Sequence, residues 1–117
     1  MKVTLHGIKN CDTVKKAQKW LQAEAIDFEF RDFRENAPGI EEIAGWLQRC
    51  DWQQVLNKRS TSWKNLEQDQ RDRATDATAV AKLLHANPTL IKRPLLTIDD
   101  TVSVGFSSPH YQALFAN

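Results

Sequence analysis

The stretch Lys2-Val3-Thr4-Leu5-His6-Gly7-Ile8-Lys9-Asn10-Cys11-Asp12-Thr13-Val14, with its continuation to Phe33, decides the fold. Residues 2–6 alternate, with Val3 and Leu5 on one side, and read as a short strand. Gly7 to Asn10 form a polar turn. From Asp12 or Thr13 to about Ala25 the period becomes helical, with Val14, Ala17 and Leu21 on one stripe, Trp20 at its flank and Lys15, Lys16 and Lys19 mainly on other faces. Residues 27–33 alternate again, with Phe28, Phe30 and Asp32 on one side. Strand, helix, strand in so short a span is a βαβ unit with parallel strands and a right-handed crossover.

Beyond it, Ile40, Ile43, Ala44, Leu47 and Cys50 are spaced as one face of a helix that starts near Pro38-Gly39, with Glu41 and Glu42 in its first turn. Shorter helical pieces are expected around Trp52, Val55 and Leu56 and from Thr61 or Ser62 to about Gln68. Residues 67–76 are almost entirely polar and read as solvated loop. Asp76 reads as the N-cap of a helix through His85, and Asn87-Pro88 closes it. Strands return at 94–98 and 102–106 around Asp99-Asp100-Thr101, a hairpin signal. Ser107 or Ser108 then caps a last helix with Pro109 near its start. The expected fold is α/β and thioredoxin-like: a four-stranded mixed sheet, βαβ then ββα, with an all-helical insertion at about 38–87 between strands 2 and 3, in a single domain over residues 1–117.

Composition sets the outer limits. A chain of 117 residues buries roughly two thirds of its unfolded surface and folds without disulfides or a structural metal. Sixteen basic against fifteen acidic side chains give a charge of +1, which argues against a nucleic-acid binder built on a bulk basic field. No apolar run approaches the roughly 18 residues that span a bilayer. The N-terminus lacks a secretory signal, so the expected compartment is the cytoplasm, where Cys11 and Cys50 stay free thiols. His6, His85 and His110 are scattered singly, and no metal site is expected. The four tryptophans fall within helical segments, where core packing is commoner than a stacking platform.

Cys11 directly follows the first strand and precedes the first helix, where unpaired N–H groups and the helix dipole favour a thiolate. From position alone it reads equally as a small residue at a tight junction. Position 14 is Val, so a Cys-x-x-Cys pair is absent, and a redox-active Cys11 would work through a mixed disulfide with an external thiol. Cys50 completes a helix stripe and reads as an inert core cysteine. Arg93-Pro94 opens the third strand. A proline there in a thioredoxin-like order is commonly cis and lies against the active cysteine, and the planar fork of Arg93 suits a carboxylate or oxyanion.

Several segments together resemble the arsenate reductase (ArsC) family, most of all its small YffB-type branch, which is related to the Spx regulators. They are Leu5-His6-Gly7-Ile8-Lys9-Asn10-Cys11-Asp12-Thr13-Val14-Lys15-Lys16-Ala17, Phe30-Arg31-Asp32-Phe33-Arg34, Trp52 to Trp63 with its Asn57-Lys58-Arg59-Ser60-Thr61 turn, Pro88-Thr89-Leu90-Ile91-Lys92-Arg93-Pro94, and Val104-Gly105-Phe106. The resemblance implies a thioredoxin-like fold with a helical insertion, Cys11 as nucleophile, Arg93 as oxyanion-binding partner and Pro94 as a cis-proline. It implies a glutathione and substrate-binding set of Asn10, Lys15, Arg59, Lys92 and Pro94. It further implies no bound cofactor, glutathione as reducing co-substrate, a small or protein thiol or disulfide as substrate, and glutaredoxin as a further candidate partner. The protein is expected to be a monomer that engages neither nucleic acid nor membrane. The final segment Val104-Gly105-Phe106-Ser107 lacks the further arginine of true arsenate reductases, which weakens arsenate as substrate. The expected activity is that of a glutathione-dependent monothiol reductase. An arsenate reductase proper and an Spx-like transcription regulator are the alternatives, and Val14 breaks the cysteine pair that the regulators typically carry.

Overall fold

A computed structural model describes residues 1–116. The strands are β1 (Val3–Gly7), β2 (Glu29–Asp32), β3 (Leu95–Ile98) and β4 (Thr101–Val104). The helices are α1 (Asp12–Ala23), α2 (Ile40–Arg49), α3 (Trp52–Val55), α4 (Thr61–Lys64), α5 (Gln68–Asp72), α6 (Ala77–Ala86) and α7 (Ser108–Phe115), with a 3₁₀ turn at Pro88–Leu90. The sheet order is β2-β1-β3-β4. β1 runs parallel to β2 with Gly7 opposite Asp32, and antiparallel to β3 with His6 opposite Leu95. β3 and β4 pair as a hairpin with Leu95 opposite Val104. This is the expected thioredoxin-like mixed sheet with helices inserted between strands 2 and 3.

The alternation of β1 becomes two buried faces. Val3 and Leu5 pack with Val14, Ala17, Leu21, Leu96 and Tyr111 on the side covered by α1 and α7. His6 lies on the other side, 3% exposed, among the cluster built from α2, α6 and the insertion. Its ring stacks on Phe33 at 6.2 Å and meets the edge of Trp46 at 5.0 Å. Gly7 ends the strand where α1 crosses it. A Cβ added there would lie 2.6 Å from a Val14 methyl, inside any tolerable contact. Gly7→Ala is therefore expected to cost about 1–3 kcal/mol through overpacking. The double variant Gly7→Ala/Val14→Ala should recover much of that loss in urea unfolding; equal costs for the single and double variants would contradict the contact.

Four local readings differ from expectation. α1 stops at Ala23, because Ala25 takes φ 54° and a Schellman pattern closes the helix, Ala25 N–H to Gln22 O at 3.1 Å and Ile26 N–H to Leu21 O at 3.0 Å. Ile40 is 40% exposed and does not join the apolar face of α2. Cys50 is the C-cap of α2 with extended backbone, half-buried rather than sunk in the core, because the helix ends before its stripe does. Residues 67–76 are not all loop. α5 forms there on local polar contacts: Glu67 and Gln70 make a capping box, and the Gln68 amide donates to Asp72 at 2.7 Å. The caps at Asp76 and Ser107 are as expected. The Asp76 carboxylate accepts from Ala79 N–H at 2.8 Å, and the Ser107 hydroxyl accepts from His110 N–H at 3.2 Å. α7 is pinned further by the Trp20 indole donating to Ser108 at 3.1 Å and by Ser103 Oγ within 2.5 Å of His110 Nε2.

Candidate active site

Cys11 is the N-cap residue of α1, with φ −94° and ψ 123°. Its backbone carbonyl accepts from Lys15 N–H at 3.0 Å, closing the first helical turn, while its side chain makes no capping hydrogen bond. The thiol is half-buried and packs against both core clusters, at the seam between the α1 and α2 sides of the sheet. A junction residue whose sulfur is neither spent on capping nor sealed in the core is available to an incoming partner.

The loop that delivers it is tied down by a residue the sequence pattern marked only as part of a strand face. Asp32, at the end of β2, is 6% exposed. Its carboxylate accepts from Lys9 N–H at 3.1 Å and from Arg34 N–H at 2.8 Å, and Phe33 N–H donates to Gly7 O at 2.8 Å. These bonds lock residues 7–10 to the end of β2. Asn10 is exposed and accepts from Arg34 Nη1 at 3.4 Å. Lys15 is exposed on the first turn of α1, and Lys9 pairs with Glu35 in the open, a contact of little energetic weight.

The peptide bond Arg93–Pro94 is cis. Since His6 pairs with Leu95, Pro94 leads into the sheet at the end where β1 hands over to the Cys11 loop. Its carbonyl accepts from Gly105 N–H at 2.9 Å, and Gly105 adopts φ +80° as β4 leaves the sheet. Arg93 is half-buried, with Nη1 donating to Thr89 O at 3.2 Å.

The insertion joins this end of the sheet through its own ladder. Leu56 bridges Ile91, Asn57 N–H donates to Leu90 O at 2.8 Å, and Lys92 N–H donates to Val55 O at 2.8 Å. The result is a cavity of about 570 Å³ whose charged lining residues are Lys58, Arg59 and Lys92, with Gln53, Gln54 and Asn57 as polar neighbours and no carboxylate. Lys58 Nζ lies 5.5 Å from the Trp63 ring. The structure thus places Arg59 and Lys92 on one cavity, with Lys58, Gln53 and Gln54 beside them. Cys11, Asn10, Lys15 and Arg93 do not line this cavity. A one-dimensional reading could see the basic turn but not the strand-like bridge that faces it toward Lys92.

Cys50 is set apart. Burial, with the nearby Asp51 carboxylate, pushes its thiol pKa up, and its Sγ donates to Gln54 Oε1 at 3.8 Å. No cluster of three or more metal-ligating side chains occurs among the described residues, and no helix there is long and apolar enough to cross a membrane.

A four-stranded mixed sheet with a cysteine at the N-cap position of the helix after β1 and a cis-proline before β3 defines a thioredoxin-like fold. The ArsC family model matches residues 6–114, and the chain belongs to the ArsC family. It is 40% identical to a protein of Haemophilus influenzae over 97% of this chain and 99% of that one. A solved structure of a YffB protein superposes with a TM-score of 0.91 at 34% identity, over 98% of this chain and 100% of that one. The global transcriptional regulator Spx 2 of Lactococcus lactis is 26% identical over 95% of this chain and 84% of its own length.

Proposed function

We propose that the protein is a monothiol reductase that uses glutathione as its reductant. The observation that carries the reading is the unengaged thiol of Cys11 at the N-terminus of α1, in a member of the ArsC family that also holds a cavity lined by three cations and no carboxylate. The Cys11 thiolate attacks one sulfur of a disulfide R–S–S–R′, forming Cys11–S–S–R while R′S⁻ leaves and takes a proton. Where R is glutathione, the thiolate of a second glutathione attacks the glutathione sulfur, the Cys11–sulfur bond breaks, and glutathione disulfide departs as the Cys11 thiolate is restored. The net reaction takes one glutathione and the mixed disulfide of R′ with glutathione to R′SH and glutathione disulfide, so R′ sulfur is reduced while the two glutathione sulfurs end joined and the proton of the incoming thiol goes to R′S⁻. Arg93 stabilises the charge that develops on the leaving sulfur or on a substrate oxyanion, and Pro94, Asn10 and Lys15 border the approach to the sulfur. Arg59 and Lys92 hold the two carboxylates of glutathione.

The assay is reduction of a glutathione mixed disulfide coupled to glutathione disulfide production. Arg59→Ala and Lys92→Ala are each expected to raise KM for glutathione about tenfold, the loss of one charge-assisted hydrogen bond, with kcat changed far less. An unchanged KM in both variants would remove the cavity from the glutathione site.

The similarity to Spx 2 favours a second reading, a protein-binding regulator. Val14, where a second cysteine would stand, is 1% exposed and wedged against Gly7. With valine at that position the chain has no Cys-x-x-Cys pair, so a disulfide switch of that kind is not available. Stoichiometric recovery of RNA polymerase with the tagged protein would favour the regulator reading. Arsenate-dependent oxidation of glutathione would instead extend the reductase reading to arsenic.

A further inference from the structure

Asp32 is the one acidic side chain that is buried among the described residues, at 6% exposure. A carboxylate leaves water only where its hydrogen bonds are replaced. No cation lies within ion-pair distance of this one among the described residues. Its two oxygens are spent instead on two backbone amides, Oδ2 on Lys9 at 3.1 Å and Oδ1 on Arg34 at 2.8 Å. Two N–H groups on separate segments call for two acceptor atoms, which a carboxylate supplies and an amide side chain does not.

Both bonds lead to the Cys11 loop. The β1–β2 register sets Asp32 opposite Gly7, where the chain leaves the sheet for Cys11. Lys9 stands two residues before Cys11, and the apolar part of the loop is seated separately by buried Ile8. Arg34 returns to the same loop through its side chain, with Nη1 donating to Asn10 Oδ1 at 3.4 Å. One arm thus holds the backbone two residues before the nucleophile, and the other holds the side chain directly before it. The Cys11 thiol makes no capping hydrogen bond of its own, so the place of the sulfur depends on the backbone that carries it.

We propose that Asp32 is a positioning residue for the Cys11 nucleophile. It sets the place of the thiol and of Asn10 by holding the Lys9 and Arg34 amides, and it does not touch the substrate. The proposal rests on the reductase reading of Cys11 and deepens it. A reacting group displaced by about 1 Å can lose on the order of 10²-fold in rate, so the effect falls on kcat. The Arg59 and Lys92 variants act on KM for glutathione, and the two kinds of residue separate in the kinetics.

The test measures kcat and KM for a glutathione mixed disulfide in the full chain carrying Asp32→Asn or Asp32→Ala, together with amide hydrogen exchange by NMR, at a temperature where unfolding curves show each variant folded. Asparagine keeps one acceptor and alanine none, so kcat is expected to fall about threefold in the first and about tenfold or more in the second, with KM for glutathione changed less than about twofold. Exchange at the Lys9 and Arg34 amides should quicken in both variants while the amides of β1 and β3 stay protected. The exposed variant Arg34→Ala, which keeps both backbone bonds to Asp32, covers the case in which Asp32→Ala fails to fold. It removes only the arm to Asn10 and is expected to lower kcat about threefold. Parental kcat in folded Asp32→Asn and Arg34→Ala would overturn the proposal, even if stability fell. Absence of turnover in the parent would remove the reductase reading and this role with it, whereas parental turnover in the variants removes this role alone.

Discussion

Cys11→Ser is expected to abolish turnover of a glutathione mixed disulfide, with a loss on the order of 10³-fold or more, because the residue that forms the covalent intermediate has no substitute in the fold. A hydroxyl at the same N-cap is too weak a nucleophile toward sulfur, yet it suits the cap, so the variant should fold at least as well as the parent. The second cysteine cannot take over. Cys50 sits at the far end of α2, and burial together with Asp51 raises its thiol pKa, which disfavours the thiolate. Cys50→Ser should therefore leave turnover essentially unchanged. The comparison is read as kcat/KM for both variants beside the parent, with unfolding curves to establish that all three are folded. Activity retained in Cys11→Ser and lost in Cys50→Ser would reverse the assignment.

The second large effect is on stability against pH. Burial between Phe33 and Trp46, aided by the Arg31 charge and opposed by Glu42, lowers the His6 pKa from 6.5 to about 4. The unfolded chain takes up this proton near 6.5 and the folded chain only near 4, so between those values the unfolded state binds more protons. Stability is thus fully present above pH 6.5 and is lost as the pH falls toward 4, by up to about 3 kcal/mol from this group. Carboxylates titrate over part of the same window, so the signal is the difference between parent and His6→Phe, an aromatic replacement suited to the same stack. Urea unfolding from pH 7 to pH 4 should show the parent losing stability relative to the variant across that interval. Parallel profiles would mean that His6 is solvated or already charged in the folded state.

The elements that carry a periodic apolar signal were legible. β1 and α1 could be read from Val3, Leu5, Val14, Ala17 and Leu21 because one face of each is buried, and Cys11 was located by the junction between them. The cap residues Asp76 and Ser107 were legible because their chemistry is local. What escaped depends on partners far along the chain or on signals too weak to stand out. Ala25 ends α1 in a left-handed conformation that a glycine would have announced. α5 has no apolar stripe and is held by polar side chains of its own. His6 looked like the polar face of a strand until α2 covered it. The site was divided in the same way. Arg59 and Lys92 were visible as basic residues, but their common cavity needs the Leu56–Ile91 bridge, and the anchoring of the Cys11 loop by Asp32 needs the β1–β2 register.

The proposed reductase chemistry requires Cys11 to be a nucleophile that exchanges with glutathione through a mixed disulfide. Intact-mass measurement after exposure of the reduced protein to glutathione disulfide, followed by peptide mapping, tests it most directly. One glutathione per chain is expected, located on Cys11, removed by added glutathione and absent in Cys11→Ser. An unmodified Cys11 with glutathione on Cys50, or no adduct at all, would contradict it.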